Sequence, residues 1–195
     1  MRRTQTTVAL AALLALLLIV LAPSLAAAEP AVRDLQTSLD GQDGRRVLVS
    51  FHLDEAFDDA TRERIQSGLP TGVTYELQLL RERRRWWDKS VAQATLQIDA
   101  MFNAVTREYL INFKYDGTLI ESRTVRELGE LERAMTRFDR LPTFALPDEW
   151  PHEWRLRVVA RAVLSGQSSF LFIPVRRTTD WAESSRFRPP PAKTP

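Results

Sequence analysis

The chain has 195 residues, with 27 Lys plus Arg against 25 Asp plus Glu, two His and no Cys. Without cysteine there are no disulfides, no thiolate metal site, no cysteine nucleophile and no lipid attachment at a processed cysteine. The basic surplus is Arg2 and Arg3, so residues 29–195 carry 25 charges of each sign, and composition gives no case for nucleic-acid binding.

Arg2 and Arg3 precede an unbroken apolar run over residues 8–22, a Pro23-Ser24 break and the small residues Ala26-Ala27-Ala28. This order predicts a secretory signal peptide over residues 1–28, cut before Glu29 by the general secretion route. The expected destination is the periplasm or the exterior. An uncleaved inner-membrane anchor is the alternative, although the run is shorter than the ~20 apolar residues that span a bilayer. Residues 29–187 are the length of one β-rich domain with enough chain for a core, and residues 188–195, rich in proline, are expected to be disordered.

Residues 32–39 predict a short first strand, and residues 46–53 a clearer one with Val47, Val49, Phe51 and Leu53 on one face. Asp54 is placed to cap a helix with Phe57, Ala60, Thr61 and Ile65 inward, ended by Ser67-Gly68. Two long strands follow. Val73, Tyr75, Leu77 and Leu79 share a face in the first; Ala92, Ala94, Leu96, Ile98, Ala100 and Phe102 share one in the second. Tyr109, Ile111, Phe113 and Tyr115 alternate in the next, and Asp116-Gly117 suits a tight turn into residues 119–123. These four strands predict an antiparallel meander. Thr124 and Glu127 form a capping-box pattern before a helix burying Leu128, Leu131, Met135 and Phe138. Residues 141–151 hold three prolines and read as extended loop. Residues 154–164 form a strong strand, Ser165-Gly166 a turn, and residues 170–175 a last edge strand. The expected fold is a mainly β antiparallel sandwich of seven or eight strands with two short helices, immunoglobulin-like or a partly closed barrel.

Several stretches also resemble a known family. They are the Arg85-Trp86-Trp87-Asp88-Lys89 segment, the Val105-Thr106-Arg107-Glu108-Tyr109 turn, the Thr124-Val125-Arg126-Glu127-Leu128 helix start and the terminal Asp180-Trp181. Over about residues 32 to 187 the chain resembles a bacterial family catalogued only as a domain of unknown function. Its members look like exported proteobacterial proteins, in part described as proline-rich signal-peptide proteins. Some are encoded beside a nitrogen-regulation-type membrane sensor kinase. The resemblance implies an envelope role and an envelope protein as partner. It carries over no reaction, cofactor or catalytic residue.

Two stretches are candidate sites. The first is Arg83, Arg84, Arg85, Trp86, Trp87 and Lys89, at the tip of the long hairpin. Trp and Arg dominate interface hot spots, which suggests a protein partner. The same mixture suits an anionic membrane surface. The bland reading is a hairpin end whose tryptophans cover the core, with Asp88 paired to an arginine or starting the turn. The second stretch is Trp150, His152, Glu153 and Trp154, a cleft-lining set for glycan or cell wall. With Asp148 and Glu149 it could supply paired carboxylates for glycoside hydrolysis. The bland reading there is a proline-fixed loop with buried tryptophans. His52 and His152 have no metal-ligand spacing, and no hydrolase elbow or phosphate loop is present. Arg155, Arg157 and Arg161 form an outward stripe, read as a solvated face that blunts edge pairing, with an anion-binding face as the alternative. The expectation is a non-catalytic interaction module without cofactor, the alternatives being a glycan-active enzyme or a structural protein resting on the membrane.

Overall fold

A computed structural model describes residues 28–41, 44–83, 85, 87–169 and 173–191. The expected signal peptide lies outside the described residues except for Ala28. Among the described residues, ten strands and two helices follow in order: β1 (Ala31–Asp40), β2 (Arg46–Asp54), α1 (Asp59–Gln66), β3 (Thr71–Arg81), β4 (Lys89–Asn103), β5 (Glu108–Tyr115), β6 (Thr118–Val125), α2 (Leu128–Thr136), β7 (Arg137–Ala145), β8 (Leu156–Ser169), β9 (Ile173–Thr178) and β10 (Ala182–Glu183).

All pairings are antiparallel. One sheet has the order β1-β2-β7; the other runs β10-β8-β3-β4-β5-β6, with β9 also on β8. The meander from β3 to β6 is as expected. The sheets do not close, so the barrel alternative is corrected and the architecture is an open two-sheet β fold consistent with a sandwich. Helix α1 carries the chain from the small sheet to the large one, and α2 carries it back.

The alternating residues meet in the middle. Val47, Val49, Phe51 and Leu53 from β2 pack with Tyr75, Leu77, Leu79, Leu96, Ile98, Ile111, Val158 and Ala160 from the large sheet. The Phe51, Tyr75 and Phe138 rings bridge the sheets at centroid distances of 4.9–5.1 Å. Two phenols finish the seam. Tyr75 donates to the Met135 carbonyl at 2.7 Å, and Tyr115 on β5 donates to the Thr143 carbonyl on β7 at 2.5 Å. Burial raises both phenol pKa values, that of Tyr115 to about 12 with help from Asp116.

Several expectations are corrected. The first helix starts at Asp59, capped by Asp58 rather than Asp54; Asp58 accepts from the Thr61 amide at 2.8 Å and from its hydroxyl at 2.6 Å. Those bonds hold the Asp58 carboxyl below its usual pKa. Of the expected inward positions, Thr61 and Ile65 are buried, Ala60 is exposed, and Phe57 is buried ahead of the helix. The capping box does not form. Thr124 is held in β6 opposite Leu110, and α2 starts after Glu127 with no side-chain cap.

Strand β7 was hidden in residues expected to be helix end and loop. A register shift leaves Arg140 at φ 51°, and the Ser50 hydroxyl accepts its amide at 2.9 Å while donating to Asp139 at 3.1 Å. A side chain thus replaces a ladder bond, and the irregular strand shows no clean alternation. Strand β8 runs through Ser165-Gly166 instead of turning there. It is also internal, with β3 on one side and β9 and β10 on the other, so its arginines blunt no edge.

Residues 188–191, the described part of the proline-rich tail, contact the domain. Buried Arg45 donates to the Pro190 and Pro191 carbonyls at 3.2 and 3.3 Å, and His152 Nδ1 lies 2.5 Å from the Pro189 carbonyl. Composition favours disorder, but these bonds give the polar backbone partners that a proline run cannot make with itself.

Candidate functional site

The β3–β4 ladder persists as far as Arg81 opposite Lys89. The basic and aromatic segment is therefore a short loop over residues 82–88, at the end of the longest hairpin. Both loop ends are tied down. The Glu82 amide donates to the Arg155 carbonyl at 2.9 Å, and the Glu82 carboxylate pairs with Arg186. Asp88 accepts from Arg157 at 2.6 Å, and Arg157 also pairs with Glu183. The expected arginine partner of Asp88 is thus a residue on β8.

Between these ties the loop stands out. Arg83 and Arg85 are exposed, and Trp87 is 92% exposed, so the core-covering reading fails for Trp87. Arg84 and Trp86 lie outside the described residues. Lys89, the first residue of β4, is exposed.

The second candidate stretch lies beside the first. Turn bonds from Trp150 to the Pro147 carbonyl (3.2 Å) and from Trp154 to the Pro151 carbonyl (3.1 Å) fold residues 147–154. The Trp150 and Trp154 rings sit 5.3 Å apart against the core, so the packing reading holds for both. The Arg81 guanidinium carbon lies 3.7 Å from the centre of the Trp154 ring. His152 turns to the proline tail. Asp148 pairs with Arg45 at 2.8 Å, which engages one member of the expected carboxylate set.

A cleft of about 810 Å³ lies where the two stretches converge. Its lining includes Arg81, Arg83, Arg155, Arg157, Arg186 and Arg188 against only Glu82, Asp88 and Glu153, with Trp154 beside them. Arg157 and Arg186 are matched by carboxylates, and Arg81 is stacked. Among the described residues, the Arg83, Arg155 and Arg188 guanidinium groups have no ion-pair or hydrogen-bond partner. The cleft is therefore locally cationic in a domain of balanced charge. Guanidinium groups so placed can pair with carboxylate or phosphate oxygens, and Trp154 offers an aromatic surface beside them.

The remaining member of the arginine stripe is elsewhere. Arg161 pairs with Glu76 at 2.6 Å and lies 4.5 Å from the Trp181 ring. Sequence reasoning missed Arg186 and Arg188 as site residues. They are about a hundred positions from the loop, and the β8–β10 pairing with the Leu156–Phe187 bridge brings them to it. Among the described residues no group of three His, Asp or Glu is placed to hold a metal, and no helix is long and apolar enough to cross a membrane.

A family model described as a domain of unknown function, DUF4390, matches residues 27–187. No curated protein and no solved structure matches the chain.

Proposed function

The chain belongs to the DUF4390 family, a domain of unknown function, and from that premise we propose that it is an exported, non-catalytic interaction domain. It works in the cell envelope after cleavage of residues 1–28, and docks a protein partner through the loop over residues 82–88 and the cleft behind it. A membrane sensor kinase is the partner class that the family resemblance suggests. The observation that carries this reading is the convergence of both candidate stretches on one cleft, with Trp87 exposed at its loop and Arg83, Arg155 and Arg188 unpaired among the described residues. Exposed Trp and unpaired Arg are the side chains that supply most interface energy.

The glycan-cleaving reading is less well supported. It needs two free carboxylates across a sugar, yet of the carboxylates lining the cleft Glu82 and Asp88 are paired with Arg186 and Arg157, which leaves Glu153.

The test is photo-crosslinking in living cells, with a photoreactive residue in place of Trp87. Enrichment of one envelope protein supports the reading. Crosslinks to lipid alone, or none from folded and exported protein, reject it.

A further inference from the structure

The cleft already contains a pattern that says what it binds. This inference rests on the reading of the cleft as a docking surface. Two carboxylates of the lining, Glu82 and Asp88, satisfy Arg186 and Arg157 there, and Glu183 reaches Arg157 from β10. Arg83, Arg155 and Arg188 come from three separate segments of the same lining and, among the described residues, pair with no carboxylate; Glu153 also lines the cleft, and the three guanidinium groups outnumber it. A planar guanidinium takes a carboxylate through two parallel N–H bonds, so such places favour that anion geometrically.

We propose that the cleft binds an acidic, extended peptide segment of the partner protein, whose carboxylates pair with Arg83, Arg155 and Arg188. An apolar side chain of the same segment lies against exposed Trp87. The volume of about 810 Å³ suits several residues of extended chain. A bilayer is flat and would reach only the projecting residues Arg83, Arg85 and Trp87, leaving the recess unfilled.

Residues 29–195 are neutral as a whole, so general attraction for polyanions is small. Recognition must come from where the arginines stand. That makes it separable by mutation, because no described fold contact uses these three guanidinium groups.

The experiment uses the full exported domain and calorimetric titration with a hexaglutamate peptide, a hexaglutamine peptide and phosphatidylglycerol vesicles. The acidic peptide should bind saturably and more weakly as salt rises, and the glutamine peptide should not bind. The triple variant Arg83→Ser, Arg155→Ser, Arg188→Ser should weaken binding about tenfold to a hundredfold with an unchanged melting temperature. A control triple, Arg46→Ser, Arg137→Ser, Arg176→Ser, removes equal charge outside the cleft and should keep the affinity.

Equal loss in both variants, absence of saturable peptide binding, or vesicle binding in its place would overturn the proposal. The underlying reading is separated by the crosslink at position 87. A captured protein partner together with no acidic-peptide binding sinks the acidic ligand and leaves the docking surface standing. No capture and no peptide binding sinks both.

Discussion

The Arg81 guanidinium lies over the Trp154 ring at 3.7 Å, joining the last residue of β3 to the turn that precedes β8. The contact fixes the base of the cleft while the loop beyond it stays exposed. It also separates two tryptophans by role. Replacing Trp154 by Ala removes a half-buried ring and its cation–π partner, and should cost about 2 kcal/mol. Replacing Trp87 by Ala should change stability by less than ~0.5 kcal/mol, since the ring is in solvent. Thermal unfolding of both variants checks this. A large loss of stability in Trp87→Ala would restore the core-covering reading of the loop.

Arg157 is gripped from two sides, by Asp88 and by Glu183. Asp88→Asn should weaken the loop anchor and cost about 1 kcal/mol, as for a partly exposed charged pair. Amide hydrogen exchange should rise at residues 87–89 before it rises in the rest of β4. Uniform exchange across the hairpin would show that the pair does not hold the loop.

The phenol of Tyr115 spans the two sheets, and its pKa is raised to about 12. The unfolded chain loses that proton near pH 10. Between those values the folded state binds more protons, so stability falls as pH rises. The effect is absent below the unfolded value. Buried Tyr75 shifts in the same direction. Denaturant melts from pH 9 to 12 should show the decline, and Tyr115→Phe should make it shallower. An unchanged slope in that variant would count against the seam.

Gly72 faces a crowded spot between β4 and β8. A methyl there would sit 2.7 Å from Asp99 Oδ1 and 2.9 Å from Ser165 Oγ. Asp99 cannot swing away freely, because Lys114 and Gln97 hold it at 3.0 and 2.8 Å. Gly72→Ala should therefore cost roughly 1–3 kcal/mol. Adding Asp99→Ala should recover part of the loss. Full additivity of the two substitutions would mean that the clash lies elsewhere.

Export is testable directly. Cell fractionation and N-terminal sequencing should find the domain outside the cytoplasm and beginning at Glu29. A chain retaining residues 1–28 in the membrane fraction would favour the anchor.

The legible parts of the fold share one property. Over Thr71–Leu79 of β3 and along the β4–β5 pair the ladder is regular, so burial on one face writes itself into the sequence as alternation. Strand β7 lacked that mark because the Ser50 hydroxyl replaces a ladder bond at Arg140. Thr124 and Glu127 carry the local pattern of a helix cap, but pairing with β5 claims Thr124 for the sheet. There a tertiary contact outweighs a local preference.

The same division applies to the candidate site. Sequence alone determined that Arg83 to Lys89 sits at a hairpin tip, because two alternating runs must turn there. It also determined that residues 29–195 carry no net charge, since charge is a count. It left the Trp150 to Trp154 stretch as a separate possibility. Only the tertiary structure decided that the two are one place, and that Arg186 and Arg188 belong to it. The reason is antiparallel register. Strand β8 pairs with β3 on one side and with the 173–187 chain on the other, so residues about a hundred positions apart end at the same height. Which arginines then meet a carboxylate and which do not is a property of that register, and periodicity carries no trace of it.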